Sequence, residues 1–111
     1  MHPLNKVYAY ITRHNQLLVF RHIDFPEEGV QVPGGTMEDG ELPHVAVMRE
    51  ASEETGLEGL RLASYLGEFK WRSSKAGHKE FHLRHFYHNE QILQKSNCTV
   101  NSPANRLCRQ M

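Results

Sequence analysis

Three glutamates lie close together in this sequence and could bind a divalent cation. On a helix, Glu50, Glu53 and Glu54 would project within an arc of about 100°, because successive helical residues are rotated by about 100°. Glu50 and Glu54 are then an i,i+4 pair of like charges, which costs about a few tenths of a kcal/mol on an isolated helix. Mg²⁺ and Mn²⁺ prefer carboxylate and water oxygens, so a bound cation would reverse that cost.

The same carboxylates could instead form a solvated acidic face. Arg49 lies four residues before Glu53, at the spacing of a helical ion pair, and would balance part of the charge. For a Glu-rich helix on its own, the solvated face is the better interpretation. Three neighbouring features favour a metal site: the Pro33-Gly34-Gly35 turn, Glu41 and the Arg49-Glu50 pair.

The spacing of these residues follows the pattern G-x5-E-x7-R-E-U-x-E-E-x-G-U, in which U is usually a bulky aliphatic residue. The chain therefore resembles the Nudix hydrolase family, whose signature this pattern is. Ala51 is smaller than the usual residue at its position. The fixed positions are filled by Gly35, Glu41, Arg49, Glu50, Ala51, Glu53, Glu54, Gly56 and Leu57.

The resemblance implies a role for each residue of the pattern. Metal ligands, for Mg²⁺ or Mn²⁺, would be the backbone carbonyl of Gly34 and the side chains of Glu50, Glu53 and Glu54. Arg49 would orient one of the glutamates. A supporting role in the geometry of the loop and helix falls to Gly35, Glu41 and Gly56. Glu41 could equally be a carboxylate favoured by the dipole at the helix start.

The family chemistry implies that a carboxylate accepts the proton of the attacking water. Glu53 or Glu54 could do this. Some members of the family use a carboxylate from a later loop, for which Glu80 and Glu90 are candidates. The sequence leaves this choice open.

The resemblance implies a metal-dependent hydrolase that cleaves the pyrophosphate linkage of nucleoside diphosphate derivatives, in which a nucleotide is joined to another group. Nucleoside di- and triphosphates and capped or triphosphorylated RNA ends are rival substrates, although the balanced charge makes nucleic acid the less favoured partner. The alternative is a non-catalytic Nudix-fold module that binds a nucleotide or a partner. The complete set of carboxylates favours the enzyme.

Cations and aromatic residues outside the pattern are further candidates for substrate contacts. Arg72, Lys75 and Lys79 surround one predicted turn and could meet phosphates, or they could simply keep a loop solvated. Four aromatic side chains could stack on a nucleobase, although large aromatic residues in strands more often belong to the core: Tyr8, Tyr10, Phe69 and Trp71.

The surrounding elements are predicted from hydrophobic periodicity. Alternating patterns predict strands near residues 7–12, 17–20, 30–32, 60–72 and 80–88, with a turn at His14 and Asn15. Pro43 suits the first turn of the helix, and Gly56 suits its end. Val45, Met48 and Ser52 are predicted to face the core. This order is consistent with the α/β class of the family, an α/β/α sandwich around a mixed β-sheet.

Length and composition set the remaining expectations. The 111 residues, with 13 basic and 13 acidic side chains, predict a single domain over residues 1–111. The absence of a long apolar run predicts a cytoplasmic protein that does not enter a membrane. The strand and helix pattern is clear for residues 5–88, whereas residues 89–111 are a short, atypical tail in which we expect no further strand after residue 96. An uncovered sheet would favour a homodimer.

Overall fold

The computed structural model describes residues 3–75, 78–92 and 106–110 of the chain. It contains strands β1 (Leu4–Arg13), β2 (Gln16–His22), β3 (Val30–Gln31), β4 (Gly34–Thr36), β5 (Leu60–Lys75), β6 (His78–Gln91) and β7 (Arg106–Gln110), and one α-helix, α1 (Pro43–Thr55). A 3₁₀ turn spans Pro26–Glu28. The strand patterns before and after the helix are thus confirmed, and β5 and β6 extend beyond the predicted ranges.

The strand β1 is the centre of the mixed sheet. One edge of β1 pairs in parallel with β6, from Leu4 opposite His82 to Thr12 opposite Glu90. The other edge is shared, because β4 pairs with its first half and β2 pairs with its end. β5 pairs antiparallel with the outer edge of β6. This arrangement seats the glycine turn directly on the central strand.

Alternate residues of β1 face opposite sides of the sheet. Val7, Ala9 and Ile11 are buried on the side covered by α1, whereas Tyr8 and Tyr10 lie on the other side and are half-buried. The core on the helix side also contains Leu18, Ala46, Val47, Ala51, Leu57 and Tyr87. The α/β class with a mixed sheet is confirmed, and the described residues contain the helical layer on one side of it.

The helix α1 buries a different face from the one expected. Met48 packs against the core as predicted, but Val45 is 48% exposed and Ser52 is also exposed. Ala46, Val47 and Ala51 are completely buried instead. The small alanine side chains let the helix backbone approach β1 closely. Packing therefore turns the alanine side of the helix toward the sheet, and Val45 and Ser52 toward solvent.

The hairpin between β1 and β2 confirms the predicted turn. His14 and Asn15 have positive φ angles of 50° and 62°. This left-handed pair is the geometry of a two-residue hairpin whose twist matches the strands.

The end of the chain contributes more structure than expected. β6 continues to Gln91, and Asn89 within it is fully buried. The expectation of no further strand was wrong for Arg106–Gln110, because this segment pairs antiparallel with β2 as β7. Pairing with an open sheet edge allows a polar segment to form a strand, since the backbone supplies the hydrogen bonds. The rest of the atypical tail lies outside the described residues.

The strand β5 lies at an edge of the sheet and carries exposed apolar side chains. Tyr65, Leu66 and Phe69 are each at least half exposed. Self-association as a homodimer stays a prediction. Within the described residues, no helix is long and apolar enough to cross a membrane.

Candidate metal and catalytic site

Both ends of the helix α1 are fixed by local interactions. Pro43 occupies the first turn. Gly56 ends the helix in the left-handed conformation, with φ of 68°, and its N–H donates to the carbonyl of Ser52 at 2.9 Å. A side chain would strain the backbone at this position, which explains the glycine. The glutamates therefore project from a rigid helix.

Arg49 joins Glu41, Glu50 and Glu53 to one another. Its Nε and Nη2 each donate to Glu41 at 2.8 Å, in a bidentate pair. Its Nη1 donates to Glu50 at 2.9 Å and to Glu53 at 3.3 Å. A further bond from Nη2 reaches the carbonyl of Thr36 at 3.3 Å. The planar guanidinium thus ties the loop before the helix to the acidic face.

Glu41 is the strongest partner of Arg49. The hydrogen bonds from Arg49, followed by one from the backbone N–H of Glu38 at 2.9 Å, lower the pKa of Glu41 to about 2. The same pairing raises the pKa of Arg49, so the guanidinium stays charged. The supporting role predicted for Glu41 has a physical basis in this pair, since it orders the loop against the helix.

We expect the substitution Glu41→Gln to lower the free energy of unfolding at pH 7 and to lose this effect in acid. The folded pKa of about 2 lies below the usual value of 4.5, so the stabilisation is complete above pH 4.5 and disappears as the pH falls toward 2. Urea unfolding at pH 7, 5, 4 and 3 would measure the difference in the free energy of unfolding between the parent and Glu41→Gln. Glu38→Gln is the matched control, because Glu38 is exposed and lies 4.0 Å from Arg49. An equal loss in both variants would contradict the assigned pair.

Glu50 packs directly against the glycine turn. Its carboxyl group leaves no room at Gly35, where an added Cβ would lie 2.3 Å from the carboxyl carbon and 2.4 Å from both oxygens. Burial raises the pKa of Glu50, and the hydrogen bond from Arg49 opposes this increase. A carboxylate held in a partly desolvated position gains from a nearby cation.

Glu54 lies at an open cleft and differs in this from Glu53. Together with Gly34 and Gly35, Glu54 lines a cleft of about 430 Å³ that also borders β1 and β6. The side chain of Glu53 is 59% exposed and contacts Arg49. The two neighbouring glutamates therefore have distinct surroundings.

Gly34 is closely surrounded by the central strand. An added Cβ would lie 2.6 Å from the carbonyl oxygen of Val7 and 2.7 Å from the ring of Tyr8. The carbonyl of Pro33 accepts a hydrogen bond from the N–H of Ala9 at 2.8 Å, which fixes the turn. The turn and the acidic helix thus meet at one place, and the metal-ligand role of the Gly34 carbonyl stays a prediction.

The carboxylates offer a donor set that fits a hard cation. In the conformation of the described residues, no three His, Cys, Asp or Glu side chains are gathered into a ready-made metal site. Arg49 bonds to Oε1 of Glu50 and Oε2 of Glu53, so one oxygen of each remains outside that contact. Oxygen donors of this kind suit Mg²⁺ or Mn²⁺, and side-chain rotation would be needed to complete the site.

The remaining candidate residues do not line the cleft beside Glu54. Arg72 lies over the ring of Phe81 at 5.4 Å, on the side of the β5–β6 hairpin that bears α1, and Lys79 is exposed. The side chain of Lys75 lies outside the described part. As substrate contacts these three residues stay predictions.

The two later carboxylates also lie elsewhere. Glu90 pairs with Arg61, and Glu80 is exposed beside His82.

The cleft contains residues that the sequence did not single out as substrate contacts. Lys6, Arg84 and Phe86 line it beside Tyr8 and Tyr10. All five residues occupy alternate positions of β1 and β6. Their alternation would have identified them as one surface only if the parallel pairing of these strands had been known. That pairing joins segments far apart in the sequence, so periodicity within either strand could not reveal the group.

The fold and the loop–helix arrangement define a Nudix-type domain, in which a glycine turn on a mixed sheet leads into a helix bearing carboxylates. The chain belongs to the Nudix family, because the profile of the NUDIX domain matches residues 2–101.

Two relatives are similar over about half of this chain. An RNA pyrophosphohydrolase from Gluconobacter oxydans is 37% identical over 54 residues, which is 49% of this chain and 32% of that protein. An ADP-ribose pyrophosphatase from Methanocaldococcus jannaschii is 40% identical over 58 residues, or 51% of this chain and 34% of that protein. The matched segments thus span about a third of either relative.

Solved structures support the fold over nearly the whole chain. A MutT NUDIX hydrolase from Burkholderia pseudomallei superposes with a TM-score of 0.75 at 22% identity, covering 99% of this chain and 83% of that one. The E. coli dihydroneopterin triphosphate pyrophosphohydrolase has a TM-score of 0.74 at 17% identity, covering 95% of this chain and 77% of that one.

Proposed function

We propose that this chain is a Mg²⁺- or Mn²⁺-dependent hydrolase that cleaves the pyrophosphate linkage of nucleoside diphosphate derivatives. The observation that carries the proposal is that Glu54 and the glycine turn line one open cleft, beside Glu50 and its Arg49 contact. The names of both relatives and of the E. coli structure describe pyrophosphate hydrolysis, on three different substrates.

Four groups would hold the cation: the Gly34 carbonyl and the carboxylates of Glu50, Glu53 and Glu54. A bound cation supplies charge neutralisation at the phosphates and a bound water of lowered pKa. The chain orients these groups. Arg49 restrains Glu50 and Glu53 through Nη1, and Gly35 leaves the space that the Glu50 carboxyl group fills.

Glu54 is our candidate for the group that accepts the proton of the attacking water. It lines the cleft, whereas Glu53 is largely exposed and bonded to Arg49. Glu80 and Glu90 lie outside the cleft and are the weaker candidates. Proton transfer to a positioned carboxylate contributes about 10²–10⁴-fold to the rate of such reactions.

The proposal is tested by product release from a panel of nucleoside diphosphate derivatives, nucleoside triphosphates and triphosphorylated RNA. Each assay is run with Mg²⁺, with Mn²⁺ and with EDTA. We expect metal-dependent release of a nucleoside monophosphate from at least one diphosphate derivative. If folded protein with either metal leaves every substrate intact, the enzyme proposal is wrong and a non-catalytic, nucleotide-binding module is favoured.

A further inference from the structure

A cationic and aromatic surface continues the cleft away from the glutamates. We call it the sheet-face subsite and define it by Lys6, Tyr8, Tyr10, Arg84 and Phe86. These residues come from β1 and β6 and project from the side of the sheet opposite α1, since their odd-numbered neighbours are buried under the helix. The subsite and the carboxylate site therefore share one continuous cleft.

Arg84 is held by aromatic rings and not by acids. Its guanidinium carbon lies 4.7 Å from the ring centroid of Trp71 and 5.8 Å from that of Tyr8. Within the described part of the chain it forms no ion pair, and its Nε has no hydrogen-bond partner. By contrast, Arg49 and Arg61 pair with carboxylates. Ring faces orient a guanidinium without neutralising it, so Arg84 keeps donors for an anion.

Lys6 adds a second positive charge beside Arg84. The two residues are directly opposite each other in the parallel pairing of β1 with β6. Among the residues whose side chains the structure describes, Lys6 has no acidic partner. Two neighbouring cations repel, and an anion bound between them would remove that repulsion.

Aromatic rings lie next to these cations. Tyr8 and Phe86 are stacked, with ring centroids 5.3 Å apart and planes at 18°, and Tyr10 lies 6.1 Å from Phe86. All three rings are half-buried at the wall of the cleft. Such a platform suits a planar heterocycle, because every nucleobase presents a face that can stack on an aromatic side chain.

We propose that the sheet-face subsite binds the nucleoside monophosphate half of the substrate. The base stacks on the rings of Tyr8 and Phe86, and Arg84 donates to a phosphate oxygen while Glu54 faces the pyrophosphate linkage. Arg84 thus determines specificity, and Trp71 positions it. This assignment rests on the proposed function, because it assumes that the bond is cleaved beside Glu54.

Binding of AMP, adenosine and ribose 5-phosphate to the metal-free protein tests the assignment. Isothermal titration calorimetry in EDTA gives the affinities. Emission of Trp71, the single tryptophan of the chain, reports binding near Arg84. We expect AMP to bind at least about tenfold more tightly than either fragment, since only AMP offers both the base and the phosphate.

Variants separate the two parts of the subsite. Arg84→Met should lower the affinity for AMP at least about tenfold and leave the affinity for adenosine unchanged. The AMP affinity of Arg84→Lys should lie between those of the parent and of Arg84→Met. Tyr8→Leu should lower the affinity for AMP and for adenosine but not the affinity for ribose 5-phosphate. Arg61→Met removes an arginine that is paired on the same sheet and should bind AMP like the parent. In hydrolysis, Arg84→Met should raise KM at least about tenfold and change kcat less than about threefold.

Two results would overturn the subsite: AMP affinity unchanged in both Arg84 variants, or ribose 5-phosphate binding as tightly as AMP. The same measurements distinguish failure of the subsite from failure of the proposed function. AMP binding that depends on Arg84, without any metal-dependent hydrolysis, would retain the subsite and reject the enzyme. Hydrolysis with unaltered KM in Arg84→Met would retain the enzyme and reject the subsite.

Discussion

Replacing Glu54 with glutamine is expected to lower kcat by about 10²–10⁴-fold while leaving the fold intact. The substitution preserves the shape of the side chain and removes its charge, in the cleft where the linkage would be cleaved. Both proposed roles of Glu54, proton acceptor and cation ligand, require a carboxylate. Single-turnover hydrolysis measures the loss, and Mn²⁺ titration followed by electron paramagnetic resonance shows how much of it comes from metal binding.

The neighbouring glutamate makes this test sharper. Glu53→Gln should cause a smaller loss than Glu54→Gln, because Glu53 is largely exposed and already bonded to Arg49. Glu27→Gln, on the exposed 3₁₀ turn, is the control for removing one negative charge and should keep the parent kcat. Wild-type turnover in both Glu53→Gln and Glu54→Gln would show that the metal site has been assigned to the wrong residues.

Alanine at Gly34 should mainly lower stability, whereas alanine at the adjacent Gly35 should mainly lower activity. Gly34→Ala forces a Cβ against the carbonyl oxygen of Val7 at 2.6 Å, so backbone must move, and we expect a stability loss of about 1–3 kcal/mol. Gly35→Ala meets the end of the Glu50 side chain, which can rotate away. The stability loss of Gly35→Ala should be smaller. Its kcat should fall at least about tenfold, because displacement of Glu50 would misplace one ligand of the cation.

Urea unfolding and kcat, measured on both variants, test this contrast. Gly29→Ala is the control: φ at Gly29 is 77°, yet nothing lies within 4 Å of an added Cβ. Because ψ at Gly29 is −164°, a conformation that only glycine adopts readily, the backbone strain should cost about 1–3 kcal/mol and leave kcat unchanged. If Gly35→Ala kept the parent kcat and Mn²⁺ affinity, the packing of Glu50 against the glycine turn would have no role in catalysis.

Much of the carboxylate site could be predicted from the sequence because its parts are local. The contacts among Glu41, Arg49, Glu50 and Glu53 all arise within a short loop and one helix, where spacing determines which side chains meet. Gly56 was likewise predictable, since a left-handed helix end selects glycine.

The helix orientation was not predictable from the helix sequence. Hydrophobicity favoured Val45 as a core residue, but Ala46, Val47 and Ala51 pack on the sheet. Several faces of a short, weakly amphipathic helix are similar in hydrophobicity, and the close approach of small residues to β1 decides between them. The strand β7 was missed for a related reason, since its order comes from pairing with β2.

The sequence by itself determined the family, the strand and helix order around the glycine turn, and the residues that could bind a cation. These properties depend on residue type and spacing within one segment. Only the tertiary structure brought Arg84 and Phe86 of β6 beside Lys6 and Tyr8 of β1, and separated Glu54 from Glu53 by their exposure. The parallel pairing joins strands more than seventy residues apart, and such contacts are decided by packing of the whole domain, not by local pattern.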